Sequence, residues 1–210
     1  MSEPLRRALA EHAVALSQRV LDEMYENPFW MERYGARGRN FANEDSLHHI
    51  SYLDQALASA DPLIFERYAR WLRTVLVTRG MCTEHLAENF RLLARAITDA
   101  GLPDDAAARE ILLRGDASLR YEDGDAGVLE HSRDQLLRAV EDAQAAQPMR
   151  EDDRRYVVSY FIDAAATGEG AFFEQFAARF PAAVKNGLIA VSAILGVPNR
   201  APDRPNGGDR

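Results

Sequence analysis

The sequence predicts an all-α protein built as a bundle of about eight or nine helices. Apolar residues recur at three- and four-residue spacing along most of the chain, and no segment alternates with period two for long enough to make a strand. Asn, Asp, Pro and Gly punctuate the periodic runs where helices start and stop. With 210 residues, 47% of them hydrophobic, the chain can bury a sizeable core.

The first helix is expected over residues 4–26, on the spacing of Leu5, Leu9, Ala13, Leu16, Val20, Leu21 and Met24, with Ser2 as its cap. Asn27 and Pro28 then read as a stop, followed by an aromatic-rich connection, Phe29, Trp30, Met31 and Tyr34, that must lie against the core. A second helix is expected over residues 43–60 on Leu47, Ile50, Leu53 and Leu57. Asp61 and Pro62 open a third, carrying Phe65, Tyr68, Trp71 and Leu72 and closed by Gly80. The fourth begins at Thr83 and ends at Gly101, and the fifth covers residues 106–113.

Residues 121–127, YEDGDAG, are the most polar interior stretch and mark the expected boundary. This gives a helical region over residues 1–120 and a second over 128–196 packed on it. The second is expected to contain helices at 128–146, 151–167, 171–180 and 182–195, the last apolar nearly all round and therefore buried, suiting a homodimer contact. Residues 197–210 carry no periodic pattern and read as a disordered tail. An internal echo links the halves. Residues 50–72 lie without gaps on 158–180, with seven of the twenty-three positions identical, among them Ser51-Tyr52 with Ser159-Tyr160 and Phe65-Glu66 with Phe173-Glu174. The second copy has Tyr156 and Val157 where the first has His48 and His49.

A net charge of −8 and a pI near 5.2 argue against nucleic-acid or acidic-membrane partners, which need a basic face. No apolar run has the length of a membrane span or a signal-peptide core. The single cysteine, Cys82, excludes an internal disulfide and fits a reducing cytoplasm.

The stretch from 33 to 50, RYGARGRNFANEDSLHHI, concentrates functional side chains. Arg33, Arg37 and Arg39 lie beside Gly35 and Gly38, and could hold a small anion, although the lysine of a phosphate loop is missing. His48 and His49 point about 100° apart on a helix, so they do not share one metal, but either could ligate a haem iron. Asp45 and His49, four apart, could form a carboxylate–imidazole pair that raises the histidine pKa, or Asp45 could serve only the first helical turn. Tyr52, Phe65, Tyr68 and Trp71 read as core or as a cofactor box. Cys82 beside His85 could be a thiol activated at a helix N-terminus. His12, His85 and His131 lack zinc-ligand spacing.

Residues 40–97 resemble the second half of the phycobiliprotein family, globin-like proteins that hold linear tetrapyrroles. The family's chromophore-bearing Cys-x-Arg-Asp corresponds to Ala42-Asn43-Glu44-Asp45, its aromatic pair to His48-His49, and its Gly-Val turn to Gly80-Met81. The resemblance implies a globin-like bundle and a bound tetrapyrrole, a biliverdin-type bilin ahead of haem. It places Asp45 at the pyrrole nitrogens, Arg37 and Arg39 at the carboxylates, His48 or His49 at a hydrogen bond or an iron, and Tyr52, Tyr68 and Trp71 against the ring faces. Ala42 stands where the family has cysteine, so any such pigment is held non-covalently. Two alternatives stand beside it: a ligand-free helical sensor or adaptor acting through protein contacts, and a tetrapyrrole-modifying enzyme with Asp45 and a histidine as proton donors.

Overall fold

The computed structural model describes residues 3–144 and 148–198. The described residues contain ten helices and no strand: α1 (Glu3–Met24), α2 (Pro28–Ser59), α3 (Leu63–Val77), α4 (Thr83–Asp99), α5 (Asp105–Ser118), α6 (Gly124–His131), α7 (Arg133–Ala143), α8 (Glu151–Thr167), α9 (Ala171–Ala177) and α10 (Ala182–Ile194). The all-α class is as expected, with a slightly larger helix count. The extra helix arises because the run expected at 128–146 breaks at Ser132, whose backbone leaves the helical region, and because α6 already begins at Gly124 inside the stretch expected to be a flexible link.

A second correction concerns α2. Asn27 and Pro28 do not stop a helix for long; they start one. The Asn27 side chain accepts from the Phe29 N–H at 3.0 Å, and Pro28 occupies the first turn, where a missing N–H costs nothing. The aromatic segment is therefore helical; Phe29 and Trp30 are buried as expected, whereas Met31, also expected against the core, is 51% exposed. Gly35, at φ 59° and ψ −166°, kinks α2 in a conformation open only to glycine, and Arg37 and Arg39 lie on the helix beyond it.

The chain divides into two compact units. The first runs to Arg73 and takes in Leu86–Leu119; the second takes in Thr74–His85 and the chain from Arg120 onward. In the first, α1 is fastened to α2 by the bidentate pair of Arg6 with Asp54 (2.7 and 3.1 Å) and by Ser17 donating to Asn43 Oδ1 (2.8 Å). Arg19 with Asp99 and Arg95 with Glu23 tie α1 to α4. Gly115 lets α5 close on Phe65, where even a methyl group would collide with the ring. Leu9, Leu53, Phe65, Phe90 and Ile97 fill the centre.

In the second unit α8 is the central helix, buried continuously from Tyr156 to Asp163 and in contact with α6, α7 and α9. α10 packs on α7 and α9 through Val184, Leu188 and Ser192. Its other faces stay open, with Ile194 83% exposed, so this helix, apolar nearly all round and expected to be buried, is covered by its own chain on one side only. Val197, placed in the expected tail, is buried and both donates to and accepts from Ser192; the tail from residue 199 on, the cap at Ser2 and residues 145 and 146 of the expected 128–146 helix lie outside the described residues.

The echo in sequence has a counterpart in local structure. α2 and α8 both end on a left-handed residue at matched positions, Ala60 (φ 53°) and Gly168 (φ 76°). In the first unit Tyr52 stacks on Tyr68 with centroids 3.9 Å apart, and in the second Tyr160 meets Phe176 at 4.9 Å, the same pair of positions 108 residues on.

Candidate functional site

Beyond Gly35, α2 is regular to Ser59. At about 100° per residue, Arg37, Phe41, Asp45, His48 and Tyr52 fall within a sector of about 80°, a stripe about 22 Å long. All five are exposed or half-buried. The Arg37 guanidinium lies 5.5 Å from the centroid of Phe41, a ring 53% exposed. At the other end of the stripe Tyr52 stacks on Tyr68 of α3 with planes 12° apart, and Trp71, one turn further along α3, comes within 6.2 Å of Tyr68. Trp71 is 59% exposed, whereas the other tryptophan, Trp30, is buried.

His49 lies behind this face. It is 2% exposed, packed edge-on against Phe90 (5.1 Å) and Tyr68 (5.7 Å), and its Nδ1 is 2.7 Å from Tyr68 Oη. Burial, helped by the neighbouring His48 charge, lowers its pKa to about 3. The phenol is shifted upward by burial and then by the charge of Asp45. At neutral pH both are therefore uncharged, and in the Nε2–H tautomer of His49 the Tyr68 O–H donates to Nδ1. This corrects the expectation of an imidazole raised by Asp45: the ring's partner is a phenol, and desolvation governs its proton.

Arg39 is not brought to this face. Its side chain turns to α1, pairs with Asp22 and lies 5.0 Å over Tyr25. Arg33 lies 5.8 Å over Tyr34. Of the sequence-nominated residues, Arg37, Asp45, His48, Tyr52, Tyr68 and Trp71 thus border one face, with His49 directly beneath it. Phe41 was not nominated, because the helix that sets it midway between Arg37 and Asp45 was expected to begin only at residue 43.

The second unit holds a buried polar cluster that sequence reasoning missed. Asp163 accepts from Thr83 N–H (2.8 Å), Thr83 Oγ1 (2.5 Å) and Tyr121 Oη (2.9 Å), while Ser159 accepts from Glu84 N–H (2.9 Å). The Glu84 carboxylate is flanked by Arg120, Arg133 and Arg155 at 3.5–3.7 Å. The signal was an aspartate in the apolar run Val157 to Ala166, which has no reason to be there unless it is paired. Cys82 is buried and its thiol is pushed up by desolvation, while His85 Nδ1 accepts from the backbone N–H of Cys82 at 3.3 Å. Burial thus opposes an activated nucleophile there. His12 and His131 bond to backbone carbonyls of their own helices, and among the described residues no group of three His, Cys, Asp or Glu side chains is placed to hold a metal ion.

No protein-family model, curated protein or solved structure matches the chain. No described helix is long and apolar enough to cross a membrane.

Proposed function

We infer that the first unit is a globin-like, non-covalent binder of a linear tetrapyrrole, taken up on the face formed by α2 and α3. The observation that carries this reading is Trp71, a large aromatic surface left mostly in water beside the Tyr52–Tyr68 stack. Exposed rings next to polar groups suit a flat, amphipathic ligand. Trp71 and Tyr52 would cover the pigment's apolar faces, Asp45 would accept from its pyrrole N–H groups, His48 would donate to a lactam oxygen, and Arg37 would meet a propionate. Arg39 is engaged on α1, and Arg67, exposed one turn before Trp71, is the better second cation. A bilin suits this face better than haem, because Nδ1 of His49 is taken by Tyr68 and its ring is enclosed.

The test is a spectral titration of the purified protein with biliverdin and, separately, with haemin. A saturable band shift with biliverdin is expected, weakened about tenfold or more by Trp71→Ala, on the scale of one lost aromatic contact of about 1–2 kcal/mol. Asp45→Ala should weaken it by a similar factor. No shift with either pigment disposes of the reading.

A second reading, a helical adaptor that pairs with its own copy, is favoured by the open apolar surface of α10 around Ile194.

A further inference from the structure

We propose that Tyr68 is a redox-active tyrosine: it gives an electron to an oxidised Trp71 and its proton to His49, making the first unit a one-electron relay from surface to core. This goes beyond pigment binding and does not depend on it.

Three features of the geometry carry the inference. First, the proton has a prepared destination. A phenol that loses an electron becomes a strong acid, and the step is fast only if a base is already hydrogen-bonded to it. Nδ1 of His49 stands 2.7 Å from Tyr68 Oη. Desolvation keeps that imidazole neutral, and its Nε2–H tautomer leaves the Nδ1 lone pair to accept the proton. Second, the electron has a path. Trp71, 59% exposed, can meet an oxidant in solution, and its ring centroid is 6.2 Å from that of Tyr68. Third, the product is protected. Tyr68 is 6% exposed and lies against Phe65, while His49 lies against Phe90, so water and other reductants reach the radical poorly.

The step balances as follows. A one-electron oxidant at the surface, such as a photo-oxidised dye or a high-valent metal complex, takes one electron from Trp71 and leaves an indole radical cation. Tyr68 passes one electron to that indole, restoring it, and its O–H bond breaks as an N–H bond forms at His49 Nδ1. The products are a neutral tyrosyl radical, an imidazolium and a reduced oxidant. A one-electron reductant of the ascorbate or thiol class returns the electron, and the proton moves back to Oη. Tyr52, stacked at 3.9 Å, shares the aromatic surface but is only half-buried; the imidazole hydrogen bond belongs to Tyr68.

The experiment is flash photo-oxidation of the whole protein by ruthenium tris-bipyridine with a sacrificial acceptor and no pigment added. Transient absorption would follow the tryptophan signal and electron paramagnetic resonance would identify the radical. The expected result is one dominant tyrosyl radical that grows as the tryptophan signal decays, forms more slowly in heavy water, and is lost in Tyr68→Phe. Trp71→Phe, a surface change that should leave folding intact, should cut its yield, and His49→Gln should abolish the solvent isotope effect. A buried hydrogen bond with only a structural role predicts a yield spread over the seven tyrosines of the chain and unchanged by Tyr68→Phe or Trp71→Phe. Either of those outcomes overturns the proposal.

Discussion

At His49 the loss of hydration outweighs every favourable contact the imidazolium could make. The residue sits on α2 where Asp45 is one turn away, yet its ring faces Tyr68 and Phe90, and its pKa falls from 6.5 to about 3. The consequence for stability has a definite sign. The unfolded chain binds a proton at His49 near pH 6.5 and the folded chain does not until about pH 3, so stability is full above pH 6.5 and declines as pH falls toward 3. One such group changes the slope by about 1.4 kcal/mol per pH unit. Urea unfolding between pH 4 and 7 should therefore show a steeper acid decline in the wild type than in His49→Gln, by about that slope. Equal slopes would mean that His49 takes up protons in the native state as readily as in the unfolded one.

The start of α4 shows how one element can be capped by another. The first backbone N–H groups of a helix have no partner within it, and here Asp163 and Ser159 of α8 supply those of Thr83 and Glu84. The carboxylate also gains from the helix dipole, yet burial still raises the pKa of Asp163 above its ordinary value, because desolvation exceeds the help from Thr83, Tyr121 and Arg133. Asp163→Ala should cost about 3 kcal/mol in unfolding free energy, since hydrogen bonds to a charged group are worth about 1.5–3 kcal/mol and their donors would be stranded. Amide exchange at Thr83 and Glu84 should accelerate in the same variant. Against Asp163→Asn, the wild type should hold its greatest advantage in acid and lose it as pH rises through the raised pKa. An advantage that grows with pH would show that the ionised form is the better cap.

For the molecule as a whole, surface apolarity and charge bear on assembly. A net charge of −8 opposes non-specific association, so self-association would have to be driven by a local apolar area, and Ile194 on α10 is the most exposed large hydrophobic residue described. If α10 is a homodimer contact, Ile194→Glu should convert a concentration-dependent dimer to monomer in sedimentation velocity while leaving the helical circular dichroism unchanged. A monomer at all concentrations in the wild type removes that role. The internal echo of residues 50–72 in residues 158–180 also concerns the whole chain. The αL caps at Ala60 and Gly168 and the ring pairs Tyr52–Tyr68 and Tyr160–Phe176 fall at the same spacing, but the histidine under the first pair has Val157 as its counterpart. The ring pair of the second unit is built without it, so the ring pairing itself does not require His49.

Helical periodicity was sufficient for the class and for the spans of α1, α3, α4 and α8, because each spacing reflects one buried stripe that a helix must have. The stripe of Arg37, Asp45, His48 and Tyr52 was not legible, because the helix was expected to begin only at residue 43 and Asp45 to pair with His49. Spacing could not reveal whether Asn27-Pro28 closes one helix or opens another, since both residues suit either end. Nor could it tell that Arg39 turns to Asp22, that α10 keeps an open face, or that Thr83 is held by a residue eighty positions away. Those outcomes depend on which helix lies beside which. The sequence by itself determined the helices and the side chains each presents; only the tertiary structure placed Tyr68 against His49 and left Trp71 in water, because the cost of burial is set by neighbours distant in the chain.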